Sequence, residues 1–195
     1  AFSFMTGLPA SFTFSRASSE WGFDSTGTLT EFTTNAPVID HDPSTLAPIG
    51  TALWWSSSNH VRNPRCEGAV PGTPGTAPIY MLVLTTGGLS SSIVGTGNES
   101  GIPYLDVRFF GTTSGAANIS VSLETTTQIA AALGQTWTVS EYLRLVGGAF
   151  GSPSAGPRVQ IIEENASGGF VAGGSSAALA ITGASLTIQR YSFTR

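Results

Sequence analysis

The sequence predicts an all-β protein in which a jelly-roll β-sandwich follows a small irregular β segment. Three observations predict this class: 24 glycines and 11 prolines in 195 residues, a charged fraction of only 10%, and apolar residues in short alternating runs. Glycine and proline in such numbers favour many turns over long helices. Hydrophobic residues make up 41% of the chain and include 11 phenylalanines, so there is enough apolar surface for a core, and disorder is not expected.

The composition divides the chain into an N-terminal segment, residues 1–58, and a larger module, residues 59–195. Short aromatic runs such as Trp21-Gly22-Phe23, followed by turn residues, are typical of hairpins. The prolines of residues 35–43 (NAPVIDHDP) exclude a helix and favour an irregular strand. The segment has too little alternation for its own sandwich, so we expect it to pack on the larger module or on another chain. Residues 71–78 (PGTPGTAP) predict a loop near the start of the larger module.

The larger module contains six runs with the two-residue period of β-strands. They cover residues 79–84, 104–110, 119–123, 137–146, 158–162 and 186–193. Their spacing and the glycine-rich breaks between them favour a sandwich or jelly roll. Residues 126–133 form an alanine-rich stretch ended by Gly134, which predicts one short helix. Residues 172–184 are rich in glycine, serine and alanine and predict a loop.

Alternation assigns polar and aromatic side chains to the outward faces of three predicted strands. Leu105, Val107 and Phe109 form the inward set of one strand, and the residues between them point the other way. Pairing of these strands would assemble one platform of rings, donors and acceptors, which is what carbohydrate binding needs. An ordinary solvated face has the same composition and stays an equal alternative. The candidate carbohydrate-binding residues are Tyr104, Asp106, Arg108, Tyr142, Arg144 and Gln160.

Charge and hydropathy argue against nucleic acid and membranes as partners. The net charge is −4, and all eight cations are arginines scattered along the chain, so there is no basic footprint. No run approaches the roughly 18 apolar residues of a membrane span, and the first residues lack the pattern of a signal peptide. Cys66 is the only cysteine, which excludes an intrachain disulfide.

Acidic residues and histidines do not form a recognisable catalytic pattern, and we expect no enzymatic activity. Asp40 and Asp42, like Glu163 and Glu164, are close neighbours in sequence without the signature of a pocket. No Gly-x-Ser-x-Gly elbow is present, so a serine nucleophile is not indicated. The side chains of Asp40, His41 and Asp42 would alternate sides on an extended segment and could not converge on one metal ion. Turn formation before Pro43 explains these acids better.

Aromatic residues of the N-terminal segment predict self-association. Because the segment has no evident core of its own, partner chains would cover its rings, and we expect a homo-oligomer, with a trimer favoured. Trp54 and Trp55 point to opposite sides of an extended chain, so at most one could stack on a sugar. A buried linker aromatic is the alternative. The other aromatics concerned are Phe2, Phe4, Phe12, Phe14, Trp21 and Phe23.

The N-terminal segment resembles a known family. Residues 4–18 (FMTGLPASFTFSRAS), 35–43 (NAPVIDHDP) and 45–48 (TLAP) are similar to the start of spike and fibre proteins of phages and gene transfer agents. The junction that follows, with Trp54 and Trp55, departs from the family pattern. This resemblance implies a place in a virion or phage-like particle outside cells, with other virion proteins as partners.

The larger module is similar to jelly-roll carbohydrate-binding modules appended to such fibres. The similarity lies in residues 63–68 (NPRCEG), 134–144 (GQTWTVSEYLR) and 189–194 (QRYSFT). It implies adsorption to host capsule or lipopolysaccharide, with a structural calcium ion, suspected at Glu67 and Asp106, as the one cofactor. Related modules continue beyond the position of Arg195, so a C-terminally truncated jelly roll stays an alternative. A purely structural subunit and, less favoured, a glycan-cleaving tailspike are the alternative functions.

Overall fold

The computed structural model describes residues 13–51, 58–125, 129–150 and 156–195. Within these ranges the chain forms β-strands and one short 3-10 helix, Leu186–Ile188, so the prediction of an all-β protein is confirmed. The jelly-roll connectivity remains a prediction. The strands are β1 (Glu20–Phe23), β2 (Leu29–Phe32), β3 (Ile39–His41), β4 (Pro48–Thr51), β5 (Leu82–Thr85), β6 (Leu89–Glu99), β7 (Ile102–Gly111), β8 (Ile119–Ser122), β9 (Thr138–Tyr142), β10 (Gln160–Glu164), β11 (Phe170–Ser175) and β12 (Arg190–Thr194).

All strands of the described residues pair antiparallel, in two-stranded ribbons. The pairs are β1–β2, β3–β4, β5–β8, β6–β7, β9–β12 and β10–β11. Each of the six predicted runs of the larger module contains or overlaps a strand. Two strands of the larger module were missed because glycine and serine lower strand propensity: β6, and β11, which overlaps the loop predicted for residues 172–184. The helix predicted for residues 126–133 is wrong for its described part, residues 129–133, which is irregular.

The N-terminal segment forms two hairpins that pack together and reach the larger module. Asp24 holds the β1–β2 turn: it accepts hydrogen bonds from the amides of Thr26 and Thr28 at 2.8 and 3.1 Å. These bonds and those from the Thr26 and Thr30 hydroxyls, with the Thr26 hydroxyl contributing most, lower the pKa of Asp24 to about 2. Val38 is fully buried against Gly22, a small core that the sequence did not predict. The Leu29 amide bonds the Ser100 carbonyl at 2.8 Å, as expected of a segment that packs on the larger module.

Two ribbons of the larger module, β9–β12 and β10–β11, pack face to face. A Cβ atom added to Gly174 of β11 would lie 2.8 Å from Cζ of Phe193, so the inner faces meet closely. Glu163 on the same face of β10 forms an ion pair with Arg195. Arg190, Ser192 and Thr194 alternate with the inner residues of β12 and therefore point away from this interface. The buried apolar side chains of the described residues are Val38, Pro78, Ile93, Ile102, Val159 and Leu186.

Glu99, at the end of β6, joins three parts of the fold. Its carboxylate accepts hydrogen bonds from the Ser185 hydroxyl and the Leu186 amide, both at 2.8 Å, and forms an ion pair with Arg144. Burial acts to raise the pKa of Glu99, but these hydrogen bonds and the Arg144 charge outweigh it, so the pKa is lowered. One side chain thus links the β6–β7 ribbon to the segment after β9 and to the 3-10 helix.

Glu141 predicts a pH dependence of stability. It lies on the inner face of β9, opposite Tyr191, and burial raises the pKa of its carboxyl. Folding therefore favours the neutral carboxyl, relative to a carboxylate. The resulting contribution to the free energy of unfolding is complete below the pKa of the unfolded chain, about 4.3, and is lost as the pH rises through the pKa of the folded state. Glu141→Gln should raise the free energy of unfolding at pH 7 and flatten its decline above pH ~4, measured by urea denaturation. Glu31→Gln, at an exposed site on β2, is the control; an unchanged profile for Glu141→Gln would contradict the prediction.

Candidate functional site

A polar and aromatic ledge runs along β7. Side chains two residues apart point to the same face of the strand, as alternation predicted for the first three of them. Tyr104 and Phe110 remain 36% and 37% exposed, and Arg108 is exposed between them. Phe110 was not among the predicted site residues, although continuing the same alternation by one step finds it. We define the β7 ledge as Tyr104, Asp106, Arg108 and Phe110.

The strand opposite the ledge supplies a floor of small residues. Each ledge residue lies directly across from a glycine or serine of β6. On this face, β7 therefore carries large side chains and β6 carries small ones. The difference in height leaves an open step along the ribbon. Because a strand rises about 3.3 Å per residue, the ledge is about 20 Å long. In the order of the ledge residues, the floor consists of Gly97, Gly95, Ser92 and Ser90.

Tyr104 is held in place by the floor. Its ring lies across Gly97, so closely that a Cβ atom there would be 2.5 Å from Cζ of the tyrosine. An aromatic ring that covers a cross-strand glycine shields its backbone and loses rotational freedom. The ring is thus fixed flat on the ribbon.

Asp106 and Arg108 have unused hydrogen-bonding capacity. Within the described ranges neither side chain forms a hydrogen bond or an ion pair, although the Arg108 guanidinium lies 5.4 Å from the centroid of the Phe110 ring. A carboxylate accepts hydrogen bonds only, and a guanidinium offers five donors. The ledge therefore presents an acceptor and a donor on residues whose Cα atoms are about 7 Å apart along the strand, flanked by two aromatic rings.

The remaining three candidates do not join the ledge as predicted. The expected pairing of their strands is wrong, since β7 pairs with β6 and β9 pairs with β12. Arg144 reaches the turn end of the ledge, but its guanidinium is bound to Glu99. Tyr142 is half-buried beside Arg190 on the outward face of the β9–β12 ribbon, and burial raises the pKa of its hydroxyl. Gln160 lies on the outward face of β10, on the far side of the packed ribbons.

Candidate metal ligands are not gathered into a cluster. Across the described ranges, no group of three or more His, Cys, Asp or Glu side chains could hold a metal ion, so the calcium at Glu67 and Asp106 stays a prediction. Asp106 belongs to the ledge, whereas the Glu67 backbone is bound by Asn63 in the loop before β5. Asp42 accepts the Ser44 and Thr45 amides at 2.8 Å, which confirms its predicted role in a turn.

Other predicted residues lie away from the ledge or outside the described ranges. Asp40 accepts the Phe23 amide at 2.8 Å, and the adjacent His41 ring approaches the Phe23 carbonyl at 3.3 Å. Trp54 and Trp55 lie outside the described residues, as do Phe2, Phe4 and Phe12. In the part of the chain that the structure describes, no helix is long and apolar enough to cross a membrane.

The chain was compared with protein-family models, curated proteins and solved structures, and none of them matches it. The ledge is therefore interpreted from its own geometry and chemistry.

The contact between Tyr104 and Gly97 is testable with a pair of neighbouring glycines. Gly97→Ala should displace the ring and cost about 1–3 kcal/mol of stability, because the methyl group would overlap the tyrosine. Gly95→Ala, on the same face, meets nothing within 4 Å and should change stability by less than about 0.5 kcal/mol. Chemical denaturation measures both, and the near-ultraviolet circular dichroism of the protein should change in the first variant alone, because only there is the environment of Tyr104 altered. Equal effects of the two variants would contradict this placement of the ring.

Proposed function

We propose that this protein is a spike or fibre protein of a phage or phage-like particle that binds carbohydrate of the host surface through the β7 ledge. The observation that carries the proposal is the ledge itself: a fixed, exposed tyrosine ring next to a carboxylate and a guanidinium that form no hydrogen bond or ion pair within the described residues. Sugars present apolar C–H faces and hydroxyl groups together. A ring face suits the former, and paired acceptors and donors suit the latter.

The place in a virion rests on the sequence. Residues 4–18 and 35–43 resemble the start of phage spike and fibre proteins, and capsule or lipopolysaccharide would then be the ligand during adsorption. Other virion proteins would hold the N-terminal segment. Binding without cleavage is proposed, because the ledge carries one carboxylate, whereas glycoside hydrolysis generally uses two that flank the scissile bond.

Exposed apolar side chains support a homo-oligomer, with a trimer as the expected assembly. Many large apolar residues of the described ranges are exposed, whereas few are buried. Leu82 and Leu84 project from the same face of β5 at 45% and 44% exposure. Patches of this kind on a soluble protein generally mark contacts with other chains.

The proposed ligand site predicts a loss of carbohydrate binding on truncation of the ledge. Tyr104→Ala and Arg108→Ala should each weaken binding about ten-fold or more, because each removes a central contact. Binding would be measured on a glycan array with bacterial capsules and lipopolysaccharides, followed by calorimetry on the glycans that bind.

Two substitutions of the same residue types, located away from the ledge, serve as matched controls. Phe170→Ala removes an aromatic ring that is 71% exposed on β11, and Arg65→Ala removes an exposed arginine of the loop before β5. Both should bind like the parent protein. If the parent binds no glycan, or if the ledge variants bind as it does, the proposal is wrong.

Self-association is tested separately. The complete protein at micromolar concentration should show the mass of a trimer by multi-angle light scattering. Replacing Leu82 and Leu84 together by serine should shift the mass towards the monomer if β5 lies in the contact. As a control, replacing Val146 by serine should leave the mass unchanged, because this residue is 68% exposed but lies outside the strands. A monodisperse monomeric parent would contradict the proposal.

A further inference from the structure

The β7 ledge carries no net charge. Asp106 contributes one negative charge and Arg108 one positive charge, and both lie on the same side of the ribbon. At the turn end, Glu99 continues the floor side of this face and is neutralised by its ion pair with Arg144. This face of the ribbon therefore has no net positive charge to attract a polyanion, and the net charge of the whole chain is −4.

The acid at the centre of the ledge selects against anionic groups. An ionised carboxylate accepts hydrogen bonds and donates none, so the Asp106 oxygens need a donor from the ligand. Sugar hydroxyls can donate to Asp106 and accept from Arg108. A uronate or sulfate group would satisfy Arg108 but would meet like charge at Asp106, two residues away on the same face of β7.

The shape of the ledge fits an extended chain rather than a single sugar. Its four side chains follow one strand for about 20 Å, and the floor of glycine and serine leaves the step open along its length. Tyr104 and Phe110 place one ring towards each end, with the polar pair between them. A ligand lying along β7 would stack at both ends and hydrogen-bond at the middle.

From these observations we infer that the ligand of the β7 ledge is an uncharged polysaccharide bound as an extended stretch of several sugar residues. The inference rests on the proposed carbohydrate-binding function and specifies its ligand class. It makes Asp106 a specificity-determining residue, because its carboxylate favours hydroxyl donors and disfavours acidic sugars.

The sign of the Asp106→Asn effect separates the two ligand classes. For a neutral glycan, this variant should bind about five-fold more weakly, since a hydrogen bond to a charged acceptor becomes one to a neutral acceptor. Arg108→Gln should weaken the same glycan by a similar factor. For an acidic glycan, Asp106→Asn would instead bind more tightly, because a repulsive charge has been removed. Tighter binding by this variant would overturn the inference.

Matched polymers test the class directly on the full chain. Dextran with dextran sulfate, and methyl-esterified with free polygalacturonate, differ in charge on the same backbone; mannan and galactan extend the neutral set. Neutral chains should be preferred, their affinity should rise with oligosaccharide length until the ledge is filled, and it should change less than two-fold between about 50 and 500 mM salt.

The outcomes distinguish this inference from the proposed function. Preference for the sulfated or free-acid member, with affinity falling at high salt, would overturn the neutral ligand while leaving carbohydrate binding intact. An affinity independent of chain length would overturn the extended binding mode. If neither neutral nor acidic chains bind, the proposed function fails together with the inference.

Discussion

The fold depends on the hydrogen bonding of one carboxylate, that of Glu99. This side chain accepts a backbone amide, a hydroxyl and a guanidinium from segments far away in sequence. The next residue, Ser100, binds the N-terminal hairpin through its carbonyl. A Cβ atom at Gly101 would collide with the Leu29 carbonyl, so the turn and the hairpin are in close contact.

The tip of the β6–β7 ribbon is therefore the point where the N-terminal segment, the ledge and the packed ribbons meet. With few buried apolar side chains in the described residues, such polar junctions position the parts.

What the sequence predicts well is local. Strict alternation over residues 104–110 assigned Tyr104, Asp106 and Arg108 to one face, because the side chains of a regular strand have a fixed two-residue period. The β1–β2 hairpin was predicted from the turn residues after Phe23, because turn formation also depends on a few adjacent residues. The sequence predicts contacts between distant residues poorly. The pairing of β9 with β12 and the binding of Arg144 to Glu99 join residues about 45 to 56 positions apart, and no pattern within either segment specifies the partner.

The ledge shows how a glycine-rich strand acquires a role through its neighbour. Alone, β6 has the composition of a loop, with three serines and two glycines among its 11 residues. Paired with β7, the same small residues become the floor on which Tyr104 lies. The predicted single platform failed because it assumed that polar strands pair with each other. In the structure a strand with large side chains pairs with one whose side chains are small, and this difference in size creates the open step.

The β-bulge at Val94 sets which residues form that floor. The register shifts between Ile93 and Gly95, so the face that begins with Ser90 and Ser92 continues with Gly95 and Gly97. Unbroken alternation from Ser92 would instead place Val94, Thr96 and Asn98 on this face, with Glu99 on the opposite side, away from Arg144. Val94 thus absorbs the change of phase, so that small side chains line one face of an 11-residue strand whose sequence does not alternate strictly.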